Sequence, residues 1–235
     1  SDALRAYVEA CERILWQPAG AAIRRWLVEE RCLAPDVLRH NRVGADPGPR
    51  ELRRAKGLPR RGPAAVFPAL DDKREPVYLQ ARYLHPPPDR GKYDNPTRIH
   101  ALNPRLAAIE PAVGVEGGPT LVTEGVPDAL AAATCGYQAV AVFGAGLPDD
   151  RVADRLANCR GLLVIAFDSD PPGRAASERL RALLDRRDVV EVVSPVHDLN
   201  SWLIARGRDG LTRQLRLAVD LPTAGRGIPA CGRTM

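Results

Sequence analysis

Between residues 120 and 193 the chain repeats one pattern: a short, unbroken apolar run, then a stretch with helical periodicity. The runs are TLVTE (120–124), AVAVF (139–143), GLLVIAF (161–167) and VVEVV (189–193), with helices expected at about 127–136, 149–157 and 172–187. A strand that is apolar on both faces must be covered on both faces. Strands that alternate with helices pair in parallel. The stretch therefore predicts an α/β fold, a parallel sheet flanked by helices. In such a sheet chemistry gathers beyond the carboxyl ends of the strands, so the residues that end these runs are the ones to read for function.

Upstream the period differs. Leu4, Val8, Cys11 and Leu15 recur at helical spacing, and a second helix is expected from about Pro18 to Arg31 with Ile23, Trp26 and Leu27 inward. A short third helix is expected near Pro35, followed by PGPRELRRAKGLPRRGP (47–63), which reads as an exposed connector. AAVFPAL (64–70) and PVYLQARYL (76–84) read as strands, PPPDRGKYDNP (86–96) as a loop, and 98–118 as irregular. Helices at 199–206 and 209–218 close the fold, and LPTAGRGIPACGRTM (221–235) has no periodicity. The expected organisation is a smaller mixed α+β unit over 1–115, an α/β domain over 116–220, and a tail or linker over 221–235.

Composition excludes several classes. The 235 residues are 45% hydrophobic and 27% charged, ordinary for a globular chain long enough to bury a core. No stretch approaches the roughly 18 apolar residues of a membrane helix, and the acid-bearing amphipathic start is not a signal peptide. A cytoplasmic protein is expected. Cys11, Cys32, Cys135, Cys159 and Cys231 lack CxxC or zinc-ligand spacing and read as buried free thiols. Net charge is +5. Arg39, Arg42, Arg50, Arg53, Arg54, Lys56, Arg60 and Arg61 face only Asp46 and Glu51 in that stretch. Such an excess attracts polyphosphate by charge neutralisation; a solvated basic loop is the competing reading.

The acids fall at two strand ends. Run 120–124 ends in Glu124, then Gly125-Val126-Pro127-Asp128; run 161–167 ends in Asp168-Ser169-Asp170, then Pro-Pro-Gly. In extended backbone, residues two apart project together, so Asp168 and Asp170 repel unless a cation lies between them. Oxygen-only ligation of this kind suits Mg²⁺ or Mn²⁺. Capping of the helix near Pro172 competes as the role of Asp168 or Asp170, and a favourable first-turn charge competes as the role of Asp128.

Residues 120–205 resemble a Toprim domain, the fold shared by DnaG-type primases, type IA and II topoisomerases and some nucleases. TEGVPDAL matches the family's glutamate motif and FDSDPPGRAA its DxD motif. The resemblance implies acid/base catalysis or metal binding for Glu124 and divalent-metal binding for Asp168 and Asp170. Asp128 matches a further family acid. His197-Asp198-Leu199-Asn200 is similar to the acidic motif after the DxD strand in primases, where Asp198 either approaches the metal or caps the next helix. Upstream, Arg61, Phe67-Pro68, Arg82 and Lys92-Tyr93-Asp94-Asn95-Pro96 are similar, in that order, to the primase segment preceding Toprim. WLVEERCLAPDVLRHNRVGA is similar to the helical start of primase polymerase domains.

Taken together, the resemblance implies a DNA primase catalytic domain: a nucleotidyltransferase making short RNA primers on a single-stranded DNA template from NTPs. Arg61, Arg82, Lys92 and Asn95 would hold template or nucleotide. Motifs of the zinc-binding module and the helicase-binding domain of such primases do not occur in these residues, which leaves two readings open: the polymerase-domain part of a longer bacterial primase, with a replicative helicase engaged through a region outside this chain, or a compact phage or mobile-element primase. A Toprim nuclease and a non-catalytic nucleic-acid-binding module are the alternatives.

Overall fold

The computed structural model describes residues 1–86, 91–114, 118–144, 147–159, 161–184 and 188–220. The tail 221–235 with Cys231, the first part of the expected 86–96 loop and the expected boundary at 116 therefore lie outside the described residues.

Helix α1 (Asp2–Leu15) buries Leu4, Tyr7, Val8, Cys11 and Leu15, the stripe its spacing predicts. The expected second helix is in fact three short pieces. A 3₁₀ turn (Pro18–Gly20) leads into α2 (Ala21–Arg25), which continues as a π-helical turn (Trp26–Glu30) closed by Arg31 N–H to Trp26 O at 2.9 Å. Cys32, at φ 54°, then reverses the chain, and Leu33 N–H reaches back to Leu27 O at 3.0 Å. Helix α3 (Pro35–His40) follows.

Strands β1 (Gly44–Asp46), β2 (Ala64–Leu70), β3 (Pro76–Tyr83) and β4 (Tyr93–Asp94) form an antiparallel sheet in that order. The segment between β1 and β2 is exposed over much of its length, as its composition suggests, but it is anchored by Gly48, Arg54 and residues 57–59, which are buried or partly so. Asp46 is fully buried and accepts hydrogen bonds from Tyr7 Oη (2.6 Å), Gly48 N (2.8 Å) and Arg54 Nη2 (2.7 Å). The Arg54 guanidinium, only 7% exposed, also donates to the carbonyls of Leu52 and Pro59. One buried ion pair thus folds the Arg-rich segment back onto α1, and Arg54 is withdrawn from the basic surface. Arg42 is likewise paired, with Glu12 at 2.9 Å.

The second sheet holds β5 (Leu106–Ile109), β6 (Thr120–Thr123), β7 (Gln138–Val142), β8 (Leu163–Ile165) and β9 (Val189–Glu191) in the order β5-β7-β6-β8-β9. The intervening helices are α4 (Val126–Thr134), α5 (Asp150–Ala157) and α6 (Pro171–Leu183); α7 (Leu199–Asp220) follows β9 and is broken at Gly207, φ 67°. That break separates the two terminal helices expected from the sequence. β6 to β9 are parallel as predicted, but the sheet is mixed, because β5 pairs antiparallel with β7 from Leu106↔Val142 to Ile109↔Ala139. Residues 98–118 are thus not wholly irregular. Four small and apolar residues between Arg105 and Pro111 carry no readable period, and their strand character comes from the β7 edge they complete.

Helix α4 is buried along its whole length. Its alanines allow close approach on every side, to β6 and β7, to α3 and to α7. Thr134 Oγ1 accepts the Ala34 N–H at 3.1 Å, tying α4 to the start of α3. One core cluster contains Leu27, Leu33 and Phe67 from the N-terminal unit together with Leu121, Leu130, Phe143 and Leu203, so the two sheets share a hydrophobic interior. Cys11 and Cys135 are buried free thiols, whereas Cys32 and Cys159 are partly exposed. No helix among the described residues is long and apolar enough to cross a membrane.

Removing one member of a buried pair strands the other's charge. Arg54→Met is expected to lower unfolding stability by about 3–5 kcal/mol in urea melts. Adding Asp46→Asn to that variant should recover part of the loss.

Candidate active site

The chain leaves β6, turns one way to β7, and then crosses to β8 on the other flank of β6. Such a reversal opens a crevice at the carboxyl ends of the strands. β6 and β8 are direct neighbours, with Val122 opposite Ile165 and Ala166 N–H bonded to Val122 O at 2.8 Å. Glu124 and Asp168 therefore emerge side by side.

Glu124 lies beside the Asp168 backbone N–H, and its Oε1 is buried without a hydrogen-bond partner among the described residues. Gly173 is required beneath it: a Cβ there would collide with the Asp168 carbonyl and stand 2.8 Å from Glu124 Oε1. Asp128 is buried on the first turn of α4, and its Oδ1 accepts Asn200 N–H at 2.9 Å. Asp170 caps α6 by accepting Gly173 N–H at 2.9 Å, and Asp198 caps α7 by accepting Ser201 N–H at 2.6 Å. His197 Nε2 lies 3.8 Å from Asp168 Oδ2.

Two groups of ligand atoms result, each lying within 4.8 Å of one another: Asp128, Asp168 and Asp198, and Asp168, Asp170 and His197. Asp168 belongs to both. Glu124 stands in the same cleft but in neither group. Capping and clustering thus coexist at Asp170 and Asp198, since a carboxylate that caps with one oxygen keeps its remaining lone pairs.

The acids strain one another electrostatically. Burial, then the Asp168 charge, push Glu124 up to about 7. Burial, then the Asp198 charge, push Asp128 up to about 8. Burial and the Asp198 charge also raise Asp168. Crowded hard oxygen donors at Asp128, Asp168, Asp170 and Asp198 are the kind of donor set a divalent cation such as Mg²⁺ fits. Asp128, Asp168 and Asp198, or Asp168, Asp170 and His197, are the groups that would hold it.

Facing the acids across a cleft of about 440 Å³ stand Arg31, Arg82, Lys92 and Tyr93. The β3–β4 pairing (Arg82↔Tyr93, Ala81↔Asp94) carries Arg82, Lys92 and Tyr93 to this wall. Two residues that the sequence pattern grouped with them do not line the cleft. Arg61 lies near Tyr83, and Asn95 is an exposed residue just past the end of β4. Between them, Asp94 accepts Tyr83 Oη at 2.7 Å and Arg60 N–H at 3.2 Å, which fixes the loop. Tyr93, part of the Lys92–Pro96 motif, lines the cleft, and Arg31, His197 and Ser201 join it without having been singled out as site residues. For His197 the signal was its place beside Asp198. For Arg31 no local signal exists, because a π turn brings it there.

This arrangement defines a class: an α/β domain with a glutamate ending one central strand and a DxD ending its parallel neighbour. Residues 121–203 match the Toprim-like family. The chain as a whole has the fold of the DnaG primase catalytic core. A DNA primase domain from Pseudomonas aeruginosa superposes with a TM-score of 0.73 at 21% identity, covering 92% of this chain and 77% of that one. The RNA polymerase domain of Mycobacterium tuberculosis primase DnaG gives 0.70 at 21% identity, over 96% and 87%. A DnaG primase catalytic domain bound to single-stranded DNA gives 0.70 at 19%, over 92% and 81%. No curated protein sequence matches the chain.

The raised carboxylates set a pH dependence with a definite sign. Acids whose folded pKa exceeds the unfolded value make the folded state bind more protons, so stability is lost as pH rises from about 4 through about 8. In EDTA, Asp128→Asn is expected to exceed wild type in stability by several kcal/mol at pH 9, with the gap closing towards pH 4. Thermal melts across pH check this. Saturating Mg²⁺ should reverse the order of the two proteins.

Proposed function

We propose that this chain is the catalytic part of a DNA primase, joining NTPs into short RNA primers on single-stranded DNA. The observation that carries this reading is the opposition, across one cleft, of the carboxylates at the ends of β6 and β8 and the cations Arg31, Arg82 and Lys92. A polyphosphate would use both: cations to pair with its oxygens, and carboxylates that would hold a charge-neutralising metal beside it. The DnaG-like fold over nearly the whole chain, including the unit before the Toprim-like domain, favours a primase over a Toprim nuclease.

When bound at the carboxylates, Mg²⁺ or Mn²⁺ supplies charge neutralisation and in-line alignment of the triphosphate. The protein's own groups do the rest. Asp128, Asp168, Asp170 and Asp198 provide the donor oxygens. Glu124, whose carboxyl lines the cleft and is pushed up by burial and the Asp168 charge, is suited to accept the proton of an attacking 3′-hydroxyl. Arg82 and Lys92 position the triphosphate. Arg61 and Asn95, outside the cleft, would contact the template strand. The single-stranded DNA bound by one structural relative supports a nucleic-acid partner.

Glu124→Gln keeps the size of the side chain and removes its basicity. It is expected to reduce primer synthesis by at least about 10³-fold while leaving DNA binding within about twofold. Labelled NTPs on single-stranded DNA with Mg²⁺ or Mn²⁺ provide the assay. Metal-dependent cutting of the DNA, without primers, would replace this reading with a nuclease.

A further inference from the structure

Arg31 and Arg82 carry the same charge into one cleft, and something must hold them there. Burial and the neighbouring Arg82 charge both disfavour the Arg31 cation. What supports the pair is aromatic. The Arg31 Cζ lies 4.9 Å from the centroid of Trp26, and the Arg82 Cζ lies 5.3 Å from it. Both guanidiniums are therefore attracted to the π-face of a single indole. Arg82 also lies over Tyr93, 5.6 Å from its ring, with Nη1 3.3 Å from Tyr93 Oη. Arg31 Nη1 donates to Asn200 Oδ1 at 3.1 Å, and Asn200 Nδ2 donates back to Arg31 O at 2.9 Å.

The backbone explains how Arg31 comes to lie over Trp26. Residues five apart in an α-helix point about 140° apart and do not stack. Here the turn is π-helical, and the Arg31 N–H to Trp26 O bond folds position 31 back over position 26. An α-helical turn of the same residues would send the guanidinium elsewhere. The extra residue of the π turn is thus what couples the indole to the cation, and Asn200 locks the result against the helix that follows the metal-site acids.

We propose that Trp26 is a positioning residue of this site: its indole sets the spacing of the Arg31 and Arg82 guanidiniums so that, with Lys92, they receive the polyphosphate tail of a nucleoside triphosphate. The proposal rests on reading the cleft as a nucleotidyl-transfer site. Trp26 makes no contact with the reacting atoms. It acts through the two arginines, which are better suited than lysines to aromatic stacking and to paired oxygen acceptors. What matters is then an aromatic face at position 26 rather than side-chain bulk.

The test uses the full chain, with inorganic tripolyphosphate as the probe in Mg²⁺-containing buffer. Isothermal titration should show Trp26→Leu binding tripolyphosphate about tenfold more weakly than wild type, and Trp26→Phe recovering most of that affinity. In primer synthesis, Trp26→Leu should raise the NTP KM about tenfold and leave kcat within about twofold. Arg31→Met calibrates the loss of one cation. Equal tripolyphosphate affinity for wild type, Trp26→Phe and Trp26→Leu overturns the proposal, as does absence of binding to wild type. Because Trp26→Phe keeps the aromatic face, a deficit shared equally by Phe and Leu also overturns it, indicating a packing role. Trp26-dependent tripolyphosphate binding in a protein that synthesises no primer would sustain this inference and overturn the primase reading instead.

Discussion

The parallel pairing of β6 with β8 is the constraint on which the site depends. It places Glu124 beside Asp168, and through Asp168 it brings in Asp170, Asp198 and Asp128. Burial, and after it the charges of their neighbours, makes these carboxylates resist ionisation, as the upward shifts at Glu124, Asp128 and Asp168 record. The protein tolerates the crowding in part because backbone N–H groups fix three of the acids: Asn200 for Asp128, Gly173 for Asp170 and Ser201 for Asp198. Those donors sit at helix starts, where unpaired N–H groups and the helix dipole favour negative charge.

A site of acids alone would repel its substrate. The opposing wall comes from the N-terminal unit, so the docking of the two units matters as much as either fold. That docking is hydrophobic at its centre, where buried α4 lies against both units, and polar at the cleft, where Asn200 ties Arg31 to the helix carrying Asp198. Asn200 is 1% exposed and links the two walls directly, since its side chain holds Arg31 and its backbone N–H holds Asp128. A displacement of one unit against the other would change the separation of cations and acids. Preorganisation of this kind is what positioning catalysis requires.

The basic residues divide by environment rather than by position in the chain. Arg54 sits in the densest basic stretch, yet it is spent on Asp46 inside the protein. Arg31 lies at the end of an unremarkable helical segment and reaches the cleft. Local charge density therefore described the composition of the 39–61 segment without identifying the cations that face the acids.

Taken by itself, the sequence determined the strand–helix alternation, the parallel pairing of β6 to β9, and the acids at two strand ends. These are local signals: unbroken apolar runs, helix-starting prolines and carboxylates at fixed offsets. It also marked Arg82 and Lys92 through the order of motifs before the alternating region. Only the tertiary structure decided the rest. β5 is a strand because β7 offers an edge, and four small residues cannot announce that. Asp46 and Arg54 form a buried pair because α1 folds over both. Trp26, Arg31 and Asn200 meet because a π turn and a helix 169 residues away in sequence converge on one wall. Contacts set by such distant partners leave no period or spacing in the chain, whereas the strand ends do, because backbone geometry alone carries their side chains to the site.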